Sequence, residues 1–179
     1  GIELKGKTLG IMGLGAIGKV VARCAAGLGM TIIAYDPYID EGYCSNHNIG
    51  IRIFDEVIEA ADVISLHLPL TDSTRHLIDK DVITRMKPTA ILINTSRGGI
   101  IDEDAAWHAL KEARLGGLGL DAFEIEPPTD SKLFELDNVV VTPHTRAHTK
   151  EATDNMAHAA IKNLIDVLSG KECRFIVNK

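Results

Sequence analysis

Residues 8–18 read Thr-Leu-Gly-Ile-Met-Gly-Leu-Gly-Ala-Ile-Gly, and the fold turns on how they are taken. Residues 8–12 form an apolar run of strand length, and Gly13, Gly15 and Gly18 follow at once. Residues 16–28 then carry helical periodicity, which Gly29 ends. A strand, a glycine-rich turn and a helix in that order suit a phosphate. Gly13 permits the tight turn, Gly15 lets a diphosphate approach the backbone, and Gly18 lets helix and strand pack closely. The helix then offers unpaired N–H groups and the positive end of its dipole.

A second strand, residues 31–35, leads into Asp36, which lies 18 residues beyond Gly18. That is near the spacing of about 20 at which a carboxylate meets the adenosine ribose hydroxyls of a dinucleotide. It favours NAD, because a 2′-phosphate would meet like charge at Asp36 and no Arg follows immediately. Further strands are expected at 51–53, 63–67, 90–94, 118–121 and 139–142. Helices are expected at 55–61 with Asp55 as its cap, at 103–114 after Asp102 with Gly116 and Gly117 as its stop, and from 149 or 150 to 169. Residues 37–50 read as a loop. This alternation predicts an α/β fold, a doubly wound parallel sheet in three layers whose strands are buried on both faces, as a single domain over 1–170.

At 179 residues and 45% hydrophobic composition, the chain can bury one sizeable core. A net charge of −6 without a basic block argues against nucleic acid as a partner. The longest apolar runs fall far below the roughly 18 residues of a membrane span. Cys24, Cys44 and Cys173 lack CxxC spacing, so neither a disulfide framework nor a metal site is expected, and a reducing cytoplasm fits best. They read as buried small hydrophobes. His67 is expected to pack beside the adenine site, Trp107 to be core or interface, and His47, His76, His108, His148 and His158 to lie at the surface. The chain begins Gly-Ile-Glu, with neither Met nor a leader, and so reads as a fragment.

Arg97, Glu126 and His144 each fall just past the end of an expected strand. In an open parallel sheet all carboxyl ends face one crevice, so these three distant residues are expected to converge there.

Several motifs accompany them: residues 6–18, 66–71 (Leu-His-Leu-Pro-Leu-Thr), 94–99 (Asn-Thr-Ser-Arg-Gly-Gly), 119–123 with Glu126 and Pro127, and 142–144 (Thr-Pro-His). On them the sequence resembles, along nearly its whole length, the Rossmann-type NAD-binding domain of the D-2-hydroxyacid dehydrogenases, which include phosphoglycerate, glycerate and hydroxypyruvate enzymes. The resemblance implies hydride transfer between NAD(H) and a small 2-hydroxy or 2-keto acid, 3-phosphoglycerate being one candidate. It makes His144 the acid/base, Glu126 the carboxylate that orients it and favours imidazolium, and Arg97 the fork that holds the substrate carboxylate. It assigns Ala16 and Ile17 to the diphosphate, Leu68 and Pro69 to the adenosine wall, Thr95 and Ser96 to the nicotinamide side, and Asp121 to the carboxamide. It further implies a homodimer and a substrate domain built from an upstream segment plus the chain's end, to which residues 171–179 would return. The chain alone is therefore expected to bind NAD and to turn over little substrate. Thr145, Arg146, Ala147 and His148 depart from the family's pattern after the histidine; Arg146 either meets an acidic substrate or the cofactor, or points outward. Two other readings stand beside this one: an NAD(H)-sensing regulator of the corepressor type, and a glycine turn that holds S-adenosylmethionine.

Overall fold

The computed structural model describes residues 1–173 and 175–176. Seven strands, β1 (Thr8–Met12), β2 (Thr31–Tyr35), β3 (Gly50–Ile51), β4 (Val63–Leu66), β5 (Ile91–Asn94), β6 (Gly117–Leu120) and β7 (Val139–Val141), form one sheet in the order β3-β2-β1-β4-β5-β6-β7. Every pairing is parallel, so every carboxyl end lies on the same edge. The winding reverses between β1 and β4, the position at which such sheets open a crevice.

Helices α1 (Ala16–Gly27) and α2 (Glu41–Asn46) cover one face at β1 and β2, with Leu9, Ile11, Ala22, Ala25, Ile32, Ala34 and Cys44 in a common core. On the opposite face α3 (Phe54–Ala60), α4 (Lys80–Arg85) and α5 (Glu103–Lys111) enclose the larger core, centred on Ile64, Leu66, Leu92, Leu118 and Leu120. The three layers expected from the alternation are therefore present. Gly1–His144 pack as one compact unit; a second begins at Thr145 and contains α6 (Lys150–Leu168), capped by Thr149, whose side chain accepts from the Ala152 N–H at 3.1 Å. Within the expected tail 171–179, residues 174 and 177–179 lie outside the described residues. No described helix is long and apolar enough to cross a membrane.

Residues 37–50 are not a loop throughout: Asp40 accepts the Tyr43 N–H at 2.9 Å and starts α2. A six-residue helix is too short to display a period, and its cap is its only sequence mark. Likewise α4, started by Asp79 accepting the Val82 N–H, escapes a reading based on periodicity. Asp55 lies inside the first turn of α3, whose N-cap is Ile53. Helix α5 ends at Lys111, well before Gly116, because Ala113 takes a left-handed conformation at φ 54°. Cys24 is exposed; Cys44 and Cys173 are buried. The strands are not equally buried either: Ile91, Ile93 and Gly119 are half-buried and Val140 is exposed, along a groove of about 880 Å³.

Asp62 ties the sheet together before β4. Its carboxylate accepts the Thr8 N–H at 2.8 Å and pairs with Lys87 at 2.8 Å, and the Lys87 contact above all holds it below the usual carboxylate range. A carboxyl depressed in the folded state stabilises above its unfolded pKa of about 3.9 and loses that contribution as pH falls through the lower folded value. Asp62→Asn should therefore cost about 1 kcal/mol at pH 7, with the difference closing as pH falls below about 4, as thermal melts across pH would show.

Candidate active site

The segments that leave the carboxyl edge carry all the sequence-predicted site residues. After β1, Gly13 turns the chain at φ 94°, and a Cβ there would lie 2.7 Å from the His67 carbonyl oxygen. A Cβ at Gly18 would lie 2.3 Å from the Gly13 carbonyl oxygen, so α1 packs on the turn only because both positions are glycine. Gly15 is the N-cap of α1; no side chain caps the helix, and a Cβ there would meet nothing within 4 Å. Ala16 and Ile17 follow, exposed at the helix mouth, with Ile17 at 64%. Free amides before open space, with no side chain in the way, fit a dinucleotide diphosphate.

Asp36 follows β2. One carboxylate oxygen accepts the Leu14 N–H at 2.7 Å and the other the Tyr38 N–H at 2.8 Å, so this residue also fixes the glycine turn. His67 follows β4 with its Nε2 3.0 Å from Ser65 Oγ, and burial pushes its imidazole below its ordinary range, towards the neutral form. Leu68 stands against Gly13, 3.1 Å from the position of a Cβ there, and exposed Pro69 comes next.

The turn after β5 is organised by buried Asn94. Its side-chain amide donates to the Arg97 carbonyl at 2.7 Å, and its oxygen accepts from the Ser96 N–H at 3.0 Å and the Ser96 hydroxyl at 2.8 Å. Thr95 and Ser96 are half-buried, whereas Arg97 is exposed and its Nη1 donates to the Ser96 carbonyl at 2.8 Å. Gly98 lets this turn meet the segment beyond β6: a Cβ there would fall 1.8 Å from the Phe123 carbonyl oxygen. After β6, buried Asp121 accepts from the Thr142 hydroxyl at 2.5 Å, joining β6 to β7.

Glu126 and His144 meet directly, His144 Nδ1 lying 2.9 and 3.0 Å from the two oxygens of Glu126. An ionised carboxylate only accepts, so the ring proton at this contact belongs to Nδ1. The Phe123 N–H donates to Glu126 Oε1 at 3.1 Å and fixes the carboxylate in turn. His144 itself takes a left-handed backbone at φ 55°, uncommon for a side chain of this kind. With Phe123, Pro127, Pro128 and Pro143, the pair lines a pocket of about 380 Å³ to which Arg97 does not contribute. The structure thus unites two of the three expected catalytic groups by contact and places the third on the adjoining turn. Among the described residues no cluster of His, Cys, Asp or Glu is suited to a metal ion.

Residues 1–145 match the family model described as D-isomer specific 2-hydroxyacid dehydrogenase, NAD binding domain. The chain belongs to that family. It is 45% identical over 181 aligned residues to D-3-phosphoglycerate dehydrogenase of Methanocaldococcus jannaschii, covering 99% of this chain and 34% of that protein. It is 42% identical to glyoxylate reductase of Korarchaeum cryptofilum, covering 100% of this chain and 54% of that protein. The solved D-lactate dehydrogenase with NAD+ from Lactobacillus jensenii superposes with a TM-score of 0.90 at 33% identity, over 99% of this chain and 57% of that one. The chain therefore spans about a third to somewhat over half of the length of the relatives it matches. NAD is the cofactor of the domain family to which it belongs.

Asn94, Gly98 and Thr142 fall within the motifs at 94–99 and 142–144, but the sequence assigns none of them a role of its own. The role of Gly98 is set by a backbone 25 residues away, which no local pattern displays.

Proposed function

We propose that the chain is the cofactor-holding part of an NAD-dependent oxidoreductase that moves hydride between NAD(H) and a D-2-hydroxy acid/2-keto acid pair, with 3-phosphoglycerate among the candidate substrates. The observation that carries this is the Glu126–His144 pair, 2.9 Å apart, on the sheet edge that also bears the glycine turn and Asp36. When bound, NAD supplies the hydride acceptor or donor. Amides at Ala16 and Ile17 hold the diphosphate, Asp36 the ribose hydroxyls, Leu68 and Pro69 the adenosine, and Thr95, Ser96 and Asp121 the nicotinamide side. Glu126 occupies Nδ1 of His144, which leaves Nε2 to take the hydroxyl proton in oxidation and return it in reduction. Arg97, always charged and planar, pairs with the substrate carboxylate and polarises the neighbouring carbonyl.

Because the chain matches only 34% of the phosphoglycerate dehydrogenase relative and 54% of the glyoxylate reductase, we assign turnover to this domain, residues 1–170, working with a separate substrate domain. We further propose a homodimer, supported by Ile161, Leu164, Ile165 and Leu168, which lie at helical spacing on α6 and are each more than half exposed. Sedimentation that finds only monomer at high concentration would count against it. The three free thiols fit a reducing cytoplasm.

Titration of the chain with NADH tests the reading, and Asp36→Ala should weaken binding roughly ten- to a hundredfold while narrowing the preference over NADPH. Asp36→Asn keeps an acceptor for the Leu14 N–H and separates the loss of charge from loosening of the turn. Absence of NADH binding by the unaltered chain would overturn the proposal.

A further inference from the structure

Glu126 is 40% exposed at its side chain, and a carboxylate on so flexible a stem does not hold an imidazole by itself. One anchor comes from the backbone of residue 123, whose neighbour 124 is held in turn. The Phe123 N–H reaches Glu126 Oε1 at 3.1 Å, and the adjacent Glu124 N–H donates to Glu103 Oε1 at 2.6 Å. Glu103 is the first residue of α5, where the helix dipole favours a carboxylate, and its position is set by the Asp102 cap, whose side chain accepts the Ala105 N–H at 3.0 Å. The side chain of Glu124 is held as well: His76 Nε2 lies 3.0 and 3.1 Å from its two oxygens, and Arg75 Nη1 lies 3.5 Å from Oε1. Opposite these contacts, the absent Cβ of Gly98 leaves room for the Phe123 carbonyl.

We infer that Glu103 is a positioning residue: by clamping the Glu124 amide it holds the Phe123 N–H that orients Glu126, and so sets the aim of His144. The role rests on the reading of Glu126 and His144 as the proton-transfer pair. Burial pushes the Glu103 carboxyl up, the Glu124 N–H works against that, and the charges of Glu124 and Glu126 add to the upward push. A half-buried carboxylate among like charges is a costly arrangement unless its amide contact contributes something in return.

The test uses the isotopically labelled 179-residue chain, reading amide hydrogen exchange at Glu124 and Phe123 and the proton resonance of the His144 Nδ1–H. Glu103→Ala should raise exchange at both amides about tenfold or more and shift or broaden the His144 signal. Glu103→Gln, which keeps an acceptor oxygen at the same reach, should restore both. Glu103→Asp keeps the charge but withdraws the carboxylate by one methylene, and should behave like the Ala variant even if Ala fails to fold. Unchanged His144 and Glu124 signals in the Asp variant, or equal changes in Asp and Gln, would overturn the inference. With a substrate domain supplied, Glu103→Asp should lower kcat roughly ten- to a hundredfold with KM for NAD unchanged, since a small misalignment of a reacting group is that costly. Signals that move as expected in a protein whose unaltered form turns over no 2-keto acid would uphold Glu103 and sink the dehydrogenase reading instead.

Discussion

Replacing His144 by Gln should lower kcat by roughly 10²- to 10⁴-fold in a protein equipped with its substrate domain, while NADH affinity of the 179-residue chain stays nearly unchanged. Glutamine approximates the reach of imidazole but has no nitrogen that gains and loses a proton near neutral pH. The loss should fall on kcat and on kcat/KM alike, as expected for an interaction needed only where the proton moves. Glu126 holds Nδ1 at 2.9 Å, so Glu126→Gln should cause a smaller fall, because the amide still reaches the ring but no longer meets it as a charged acceptor. Turnover by the His144→Gln protein at the unaltered rate would strip His144 of its assigned role.

The largest structural effect is expected at Gly98. An added methyl would sit 1.8 Å from the Phe123 carbonyl oxygen and 2.6 Å from the Glu124 nitrogen, both backbone atoms that no rotamer change can move. Gly98→Ala should therefore destabilise by about 3 kcal/mol or more, or push the Arg97 turn away from the segment that carries Glu126. Gly27→Ala is the control: a Cβ there meets nothing within 4 Å at the end of α1, and the change should be neutral or stabilising by up to about 1 kcal/mol. Equal thermal midpoints for the two variants would show that the close approach at Gly98 does not constrain the fold.

The legible parts of this molecule are those in which the physical cause is local. β1 and β2 occupy residues 8–12 and 31–35, as the apolar runs predict, and α1 begins at Ala16 directly behind the glycine turn. Thr149, Asp102 and Gly29 mark helix boundaries by their own chemistry, as caps and as a left-handed exit. The contact between Glu126 and His144 was also foreseeable once both were placed beyond strand ends on a parallel sheet. What escaped depends on partners remote in the chain. Gly98 answers to Phe123, Glu103 to Glu124, and Asp121 to Thr142, pairings that no window of neighbouring residues displays. The degree of cover over β5 to β7 depends on remote neighbours too: Ile91 and Ile93 are half-buried against the smaller core, while Val140 on the edge strand is exposed.

The first compact unit closes at His144, the same residue whose imidazole sits against Glu126. A gene cut directly after that codon would keep every group assigned above, from the diphosphate turn to the proton carrier. It would also turn the carrier into a chain end, exchanging a peptide bond for a terminal carboxylate beside the ring. The acid–base chemistry of such a minimal piece would then report on a new negative neighbour as well as on the native pair, and a cut a few residues later would be the cleaner way to isolate the first unit.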